Sequence, residues 1–270
     1  PFTQEPWYYG TSVSAYLDSN PDTNLGSGQT SGPVEPDVFT AGVNYFRIPI
    51  KVPAGAPPLL LSVGGQYTNS DQNVKSAING LQLKQMTATR LYVDASAAAN
   101  SAQTGESWAN AMKNLSQALN AAKVWGVTEI WVANGTYLPA SRTQSFDIPS
   151  GVKIYGGFAG NETLLSQRNV KANVAFLSGN VGNIFTNADN CYQVVDASDT
   201  NSSTLLDGFT ITSGNANYEF NVDQQRGAGI VGENCDATFR NCTIRFNTSL
   251  SDGAGVYLYG DSDANFIQCD

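Results

Sequence analysis

The sequence predicts an all-β protein in two parts: a small antiparallel region over residues 1–88 and a larger solenoid of stacked strands, a β-helix, over residues 89–270. Three observations predict it. Leu206-Asp-Gly-Phe209-Thr-Ile211, Phe239-Arg-Asn-Cys242-Thr-Ile244 and Phe266-Ile-Gln-Cys269 share one internal spacing, and Gly227-Ala-Gly-Ile230 returns as Gly253-Ala-Gly-Val256. The period is roughly 26 to 33 residues, the range of repeats that bury their apolar faces only against neighbouring repeats. Within each repeat Phe209 and Ile211 flank Thr210, and Cys242 and Ile244 flank Thr243, so the inner period is that of a strand. Finally, charged residues are only 14% of the chain, while Gly, Asn, Ser and Thr abound, as in β-proteins with many tight turns.

The elements follow in order. Asn44–Val52 alternates apolar and polar residues, Leu59–Val63 is a buried-strand run, and Ala77–Leu83 is a further alternating strand, with Pro, Gly, Ser and Asp turns between them. This reads as a small antiparallel β-sandwich, with a long loop over 18–36. Ile78-Asn-Gly-Leu-Gln-Leu83 resembles the last strand of jelly-roll modules of the carbohydrate-binding type. Residues 84–90 form a linker, and Arg90–Val93 opens the second part as a strand. Ser107 stands as an N-cap before Trp108, Met112, Leu115, Leu119 and Ala122, whose steps of three and four predict one amphipathic helix over about 107–123. A lone helix at the entrance of a solenoid caps the exposed end of its core. Glu129–Ala133, Val152–Tyr155, Val174–Leu177 and Tyr192–Val195 are the strands before the clear repeats.

Bulk properties exclude several classes. The 41% hydrophobic content supports a real core, and a net charge of −9 with no basic stripe argues against nucleic acid. No apolar run reaches the ~20 residues of a membrane span. The chain begins at Pro1 and stops at Asp270 just after a repeat has begun, which reads as a piece of a longer protein.

Leu91-Tyr-Val-Asp94, Gly105-Glu-Ser-Trp-Ala-Asn-Ala111, Leu115-Ser-Gln-Ala-Leu119, Glu129-Ile-Trp-Val-Ala-Asn-Gly-Thr-Tyr137, Val152-Lys-Ile-Tyr-Gly-Gly-Phe-Ala-Gly-Asn-Glu-Thr163, Gln167-Arg168, Leu177-Ser-Gly179 and Leu206–Ile211 occur in this order. Together they resemble bacterial surface proteins that carry a right-handed parallel β-helix with polymorphic-outer-membrane-protein-like repeats, over about residues 90–270. The resemblance implies a secreted or surface-displayed adhesin or structural stalk; only some members of the wider β-helix group are polysaccharide lyases or hydrolases. The chain departs from the pattern at Asn180, where such proteins tend to have Asp, and at Gln193, where they tend to have His. Neither amide titrates.

The candidate chemistry is sparse. Glycoside hydrolysis needs two carboxylates converging on one face, yet Asp196, Asp199, Asp207, Asp261 and Asp263 share no column of adjacent repeats. A lyase would draw on Arg226, Arg240 and Arg245, which also read as partners of nearby acids. The absence of histidine excludes Ser-His-Asp and Cys-His systems. Gly156-Gly-Phe-Ala-Gly160 has glycines but no helix after it, so it is not a phosphate loop. Asp261 and Asp263 are candidate ligands of a structural calcium, with the Asp196–Asp199 turn a second place for one; the competing reading is that Asp forms turns. Trp7, Tyr8 and Tyr9 are candidate ligand-binding residues, an aromatic platform for a sugar ring, or else core and edge residues. Cys242 and Cys269 fall in one column of neighbouring repeats, close enough for a disulfide or for a ladder of buried thiols. Asn-x-Ser/Thr at Asn114, Asn134, Asn161, Asn201, Asn241 and Asn247 reflects an Asn-, Ser- and Thr-rich composition.

The expected function is that of a non-enzymatic extracellular or cell-surface structural and adhesive protein. It would hold no obligatory cofactor and contact glycans, neighbouring surface proteins or its own copies. The alternative is a polysaccharide lyase or glycoside hydrolase built on a β-helix.

Overall fold

A computed structural model of the chain describes residues 11–17, 20–29, 59–65, 88–98, 103–218 and 222–270. It divides into two units, Pro1–Thr87 and Ala88–Asp270. In the first, β1 (Thr11–Leu17), β2 (Asn20–Gln29) and β3 (Leu59–Gly65) form an antiparallel sheet with β1 in the middle. The expected strand over Leu59–Val63 lies in β3. The expected loop over 18–36, in contrast, contains β2. Its Asn, Gly and Ser residues have weak strand propensity, but pairing along β1 satisfies their backbone groups and overrides local preference. The expected strands over Asn44–Val52 and Ala77–Leu83, and the Trp7-Tyr8-Tyr9 platform, lie outside the described residues.

The second unit is built of parallel sheets and, among the described residues, one α-helix. Its first half comprises β4 (Arg90–Val93), α1 (Leu115–Trp125), β5 (Glu129–Ala133), β6 (Gly135–Tyr137), β7 (Phe146–Asp147), β8 (Lys153–Phe158) and β9 (Ala175–Ser178). The strands β10 (Val195–Asp196), β11 (Leu205–Asp207), β12 (Phe209–Thr212), β13 (Asn215–Ala216) and β14 (Ile230–Glu233) follow. The last are β15 (Thr238–Arg240), β16 (Thr243–Arg245), β17 (Thr248–Ser249), β18 (Val256–Tyr259) and β19 (Asn265–Ile267). They assemble as a six-stranded sheet β4-β5-β8-β11-β15-β19, two four-stranded sheets β6-β9-β12-β16 and β7-β10-β14-β18, and the pair β13-β17.

Register converts the repeats into columns. Leu91, Ile130, Ile154, Leu206, Phe239 and Phe266 stand opposite one another across the six-stranded sheet. Leu177, Ile211 and Ile244 do so in the sheet of β9, β12 and β16. The inward residues of three sheets join one core that runs from Leu91 to Cys242, with Phe146, Val195 and Ile230 supplied by the sheet of β7, β10 and β14. Between β11 and β12, and between β15 and β16, the third residue of the repeat turns the corner with positive φ: Gly208 at 88° and Asn241 at 51°, with Gln268 at 55° after β19. This left-handed conformation suits Gly and Asn. It lets the two sheets meet after one or two residues.

The helix is shorter and later than the sequence pattern indicates. Trp108–Asn110 is a separate 3₁₀ turn, and the Ser107 side chain makes no cap. Met112 instead bridges Val93 in parallel fashion, its N–H donating to the Tyr92 carbonyl and its carbonyl accepting from the Asp94 N–H. This pairing takes the backbone groups a helix would have used. The true N-cap is Asn114, whose Oδ1 accepts from the Gln117 N–H at 3.1 Å, and Gly126 in the left-handed region ends α1. Leu115, Ala118, Leu119 and Ala122 enter the core beside β4, β5 and β7.

Outside the six-stranded sheet lies a second apolar cluster. Tyr92, Trp131 and Tyr155 face outward in register, and Trp131 is stacked on Phe158 with ring centroids 4.5 Å apart. A strap over 159–174 covers them. The Glu162 carboxylate accepts the N–H groups of Ala159, Gly160 and Asn161 at 2.6–3.0 Å, and its carbonyl accepts from the Trp108 indole. Burial would raise this carboxyl, but those amides outweigh it and hold it below its ordinary value.

Candidate functional site

The loop between β9 and β10 leaves the sheet at Gly179, whose N–H donates to the Thr212 carbonyl, and returns where the Cys191 N–H donates to the Gly179 carbonyl. Local side-chain bonds of the kind Asn, Asp and Thr favour shape it. The Phe185 N–H donates to Asn183 Oδ1, the Ala188 N–H to Thr186 Oγ1, and the Asn183 N–H to Asp189 Oδ2 at 2.6 Å. Gly182 is required here: a Cβ would lie 2.2 Å from that carboxylate oxygen. Asn215 ties the loop to the scaffold, its Nδ2 donating to the Asn187 carbonyl at 2.7 Å.

This loop forms one wall of a groove of about 520 Å³, lined by Asn180, Ile184, Phe185, Thr186, Asn187, Asn190, Ser213 and Phe246. Two features mark it. Phe185 is 90% exposed and Phe246 78% exposed, and Ile184 is also exposed beside them. Phe246 further sits at φ 56°, next to Ser213 at φ 64° on the preceding pass of the chain. A bulky side chain in the left-handed region is strained, and such strain clusters at binding sites. The Arg245 guanidinium lies 5.4 Å from the Phe246 ring centroid. At the polar side, the Oδ1 atoms of Asn180 and Asn190 are buried without a hydrogen-bond partner. The lining thus combines aromatic faces with amide and hydroxyl groups and contains no side chain that titrates near neutrality.

The residues singled out from the sequence lie elsewhere, apart from Asn180. Gln193 Nε2 donates to the Arg226 carbonyl at 3.1 Å. Asp207 is fully buried, and its Oδ2 accepts from Arg168 Nη2 at 2.6 Å and from Arg240 Nε and Nη2 at 2.8 and 2.6 Å, while Oδ1 accepts from Asn241 Nδ2 at 2.7 Å. Burial would raise this carboxyl, but Arg168, Asn241 and Arg240 together hold it below the ordinary value. It is a neutralised clamp between the strap and the sheet. Arg226 pairs with Tyr257 and Asp252, so the arginines are taken up by separate partners.

Asp261 and Asp263 are exposed, their amides tied to Asn234 Oδ1 and Asp236 Oδ1. No group of three or more acid, Cys or His side chains placed to hold a metal occurs among the described residues. Cys191, Cys235, Cys242 and Cys269 carry free thiols in the structure. The Cys242 thiol donates to the carbonyls of Leu206 and Arg240, and the Cys269 thiol to those of Phe239 and Ile267. The proximity of the two thiols lowers the half-buried Cys269 to about 6 and, with burial, raises Cys242 well above its ordinary value. Burial pushes Cys191 up to about 12.

One faint signal of the groove is legible in the sequence, the amide at Asn180. Phe185 and Phe246 were missed because neither repeats in a column; exposed aromatics at turns become visible only once the turns are placed. No family model matches the chain, and no curated protein or solved structure shows a significant match to it.

Proposed function

We propose that residues 89–270 are a right-handed parallel β-helix, closed at one end by α1, from a secreted or cell-surface protein of structural and adhesive role. The groove beside Asn180 and Phe246 would hold a glycan. Registered parallel ladders over successive passes and a continuous core from Leu91 to Cys242 support the β-helix reading. The position of α1 against β4, at the end of the six-stranded sheet, supports its role as a cap.

The observation that carries the binding role is the exposed Phe185 and Phe246 over unpartnered amide oxygens. Flat apolar sugar faces stack on aromatic rings, and sugar hydroxyls donate to amide oxygens that would otherwise stay unsatisfied. A groove whose lining cannot move protons binds and does not cleave. Affinity per site is low, and avidity across many copies makes the contact adhesive.

The test is retention of the full chain on a panel of plant, algal and bacterial polysaccharides, with reducing ends and ultraviolet absorbance of unsaturated products followed in parallel. Binding lost on Phe246→Ala and Phe185→Ala, without turnover, supports the proposal. Turnover of a polysaccharide by the wild-type chain would establish the polysaccharide-cleaving alternative instead.

A further inference from the structure

Among the described residues, the buried side-chain oxygens without any hydrogen-bond donor are Asn180 Oδ1, Asp189 Oδ1 and Asn190 Oδ1. All three belong to the loop between β9 and β10, and Asn180 and Asn190 line the same groove. A buried acceptor with no donor is costly, so such groups are rare and mark a missing partner. Three on one loop, one of them on an Asn only 4% exposed, ask for a single partner that satisfies several acceptors at once.

We infer that this loop binds a hard divalent cation, Ca²⁺, through the side-chain oxygens of Asn180, Asp189 and Asn190. The donor set consists of one carboxylate and two amides, the oxygen chemistry that calcium accepts in irregular geometry and that magnesium, with its strict octahedron, accommodates poorly. Asp189 supplies the charge. Its Oδ2 is already held by the Asn183 N–H and packed against Gly182, which fixes the carboxylate and leaves Oδ1 for the ion. A net charge of −9 raises the local concentration of cations. A single carboxylate sets weak affinity, on the order of 10⁻⁴–10⁻³ M, the range of extracellular calcium modules. This site is separate from Asp261 and Asp263. It draws on the same Asn180 and Asn190 oxygens as the glycan reading, and titration without glycan separates the two.

The experiment uses the full chain, stripped with chelator and titrated with CaCl₂ or MgCl₂ at constant ionic strength, without glycan, by calorimetry and thermal melting. One Ca²⁺ per chain is expected, with a melting temperature that rises with Ca²⁺ and far less with Mg²⁺. Asp189→Asn is expected to weaken binding about tenfold or more, Asn190→Asp to tighten it, and Asp261→Asn to leave it unchanged, in keeping with affinity set by ligand charge. Should Asp189→Asn fail to fold, the tightening by Asn190→Asp carries the test. No heat and no shift in the wild-type chain up to about 10 mM Ca²⁺ would overturn the inference. Equal shifts by both ions, insensitive to Asp189→Asn and Asn190→Asp, would do the same, as would loss of binding on Asp261→Asn alone. Failure here leaves the glycan test unaffected, because that test reads Phe185 and Phe246.

Discussion

Arg240 stands directly opposite Asp207 on the neighbouring parallel strand and donates to its Oδ2 through both Nε and Nη2. Arg168, reaching in from the strap, shares the same oxygen. One buried carboxylate thereby ties two strands and a covering segment together. Removing a partner from such a cluster leaves uncompensated charge.

Asp207→Asn is expected to cost about 3 to 5 kcal/mol, because two guanidinium groups lose their shared acceptor charge. Urea unfolding of the two proteins measures it. The folded carboxyl lies below its unfolded value of about 3.9, so its contribution is fully present above that pH and is lost as pH falls through the folded value. Wild-type stability should therefore drop more steeply below about pH 4 than that of Asp207→Asn; parallel acid curves would show that the clamp contributes nothing.

Leu119→Ala is expected to destabilise by about 2 to 5 kcal/mol, since Leu119 is buried in the core beside β4 and β5. Asn114→Ala, which removes the cap bond to Gln117, should cost about 1 kcal/mol. Ser107→Ala should cost nothing through capping, since its side chain makes no cap bond. Thermal melts of the three variants decide where α1 begins.

Cys269 should react first with a maleimide. Its thiol is lowered to about 6 by the neighbouring Cys242 thiol, whereas burial pushes Cys191 up to about 12. At neutral pH the thiolate fraction controls the rate, so brief labelling of the folded chain should modify Cys269. Cys242→Ala, which removes the neighbouring thiol, should slow the labelling of Cys269 at neutral pH. Peptide mapping by mass spectrometry reads both; labelling at Cys191 first would contradict the arrangement.

Phe246→Gly should hold or raise stability by about 1 kcal/mol, because glycine adopts φ 56° without the steric cost an L side chain meets there. The same substitution removes an exposed ring, so polysaccharide retention should fall. A variant less stable than wild type would mean that Phe246 contributes packing rather than a displayed face.

The repeat from Leu206 to Cys269 is legible in sequence because its spacing of residues is also its spacing in space: Leu206, Phe239 and Phe266 meet by register. Alternation about Thr210 and Thr243 likewise shows which side chains turn inward. These are local and periodic properties, and one chain suffices to read them. The start of α1 is not legible in the sequence, because Trp108 and Met112 fit a helical step while the Val93–Met112 bridge that claims the backbone depends on a strand some twenty residues away. Strand β2 was hidden for the same reason, its Asn, Gly and Ser residues reading as loop until β1 paired with them. The Asp207 clamp, the Cys242–Cys269 thiol pair and the groove with its unpartnered oxygens were decided only in three dimensions. Each depends on which atoms of distant passes come within hydrogen-bonding reach and which are shut off from water. Composition and spacing specify the strands and their inward faces; burial and satisfied or unsatisfied polar groups arise only when the parallel sheets pack together.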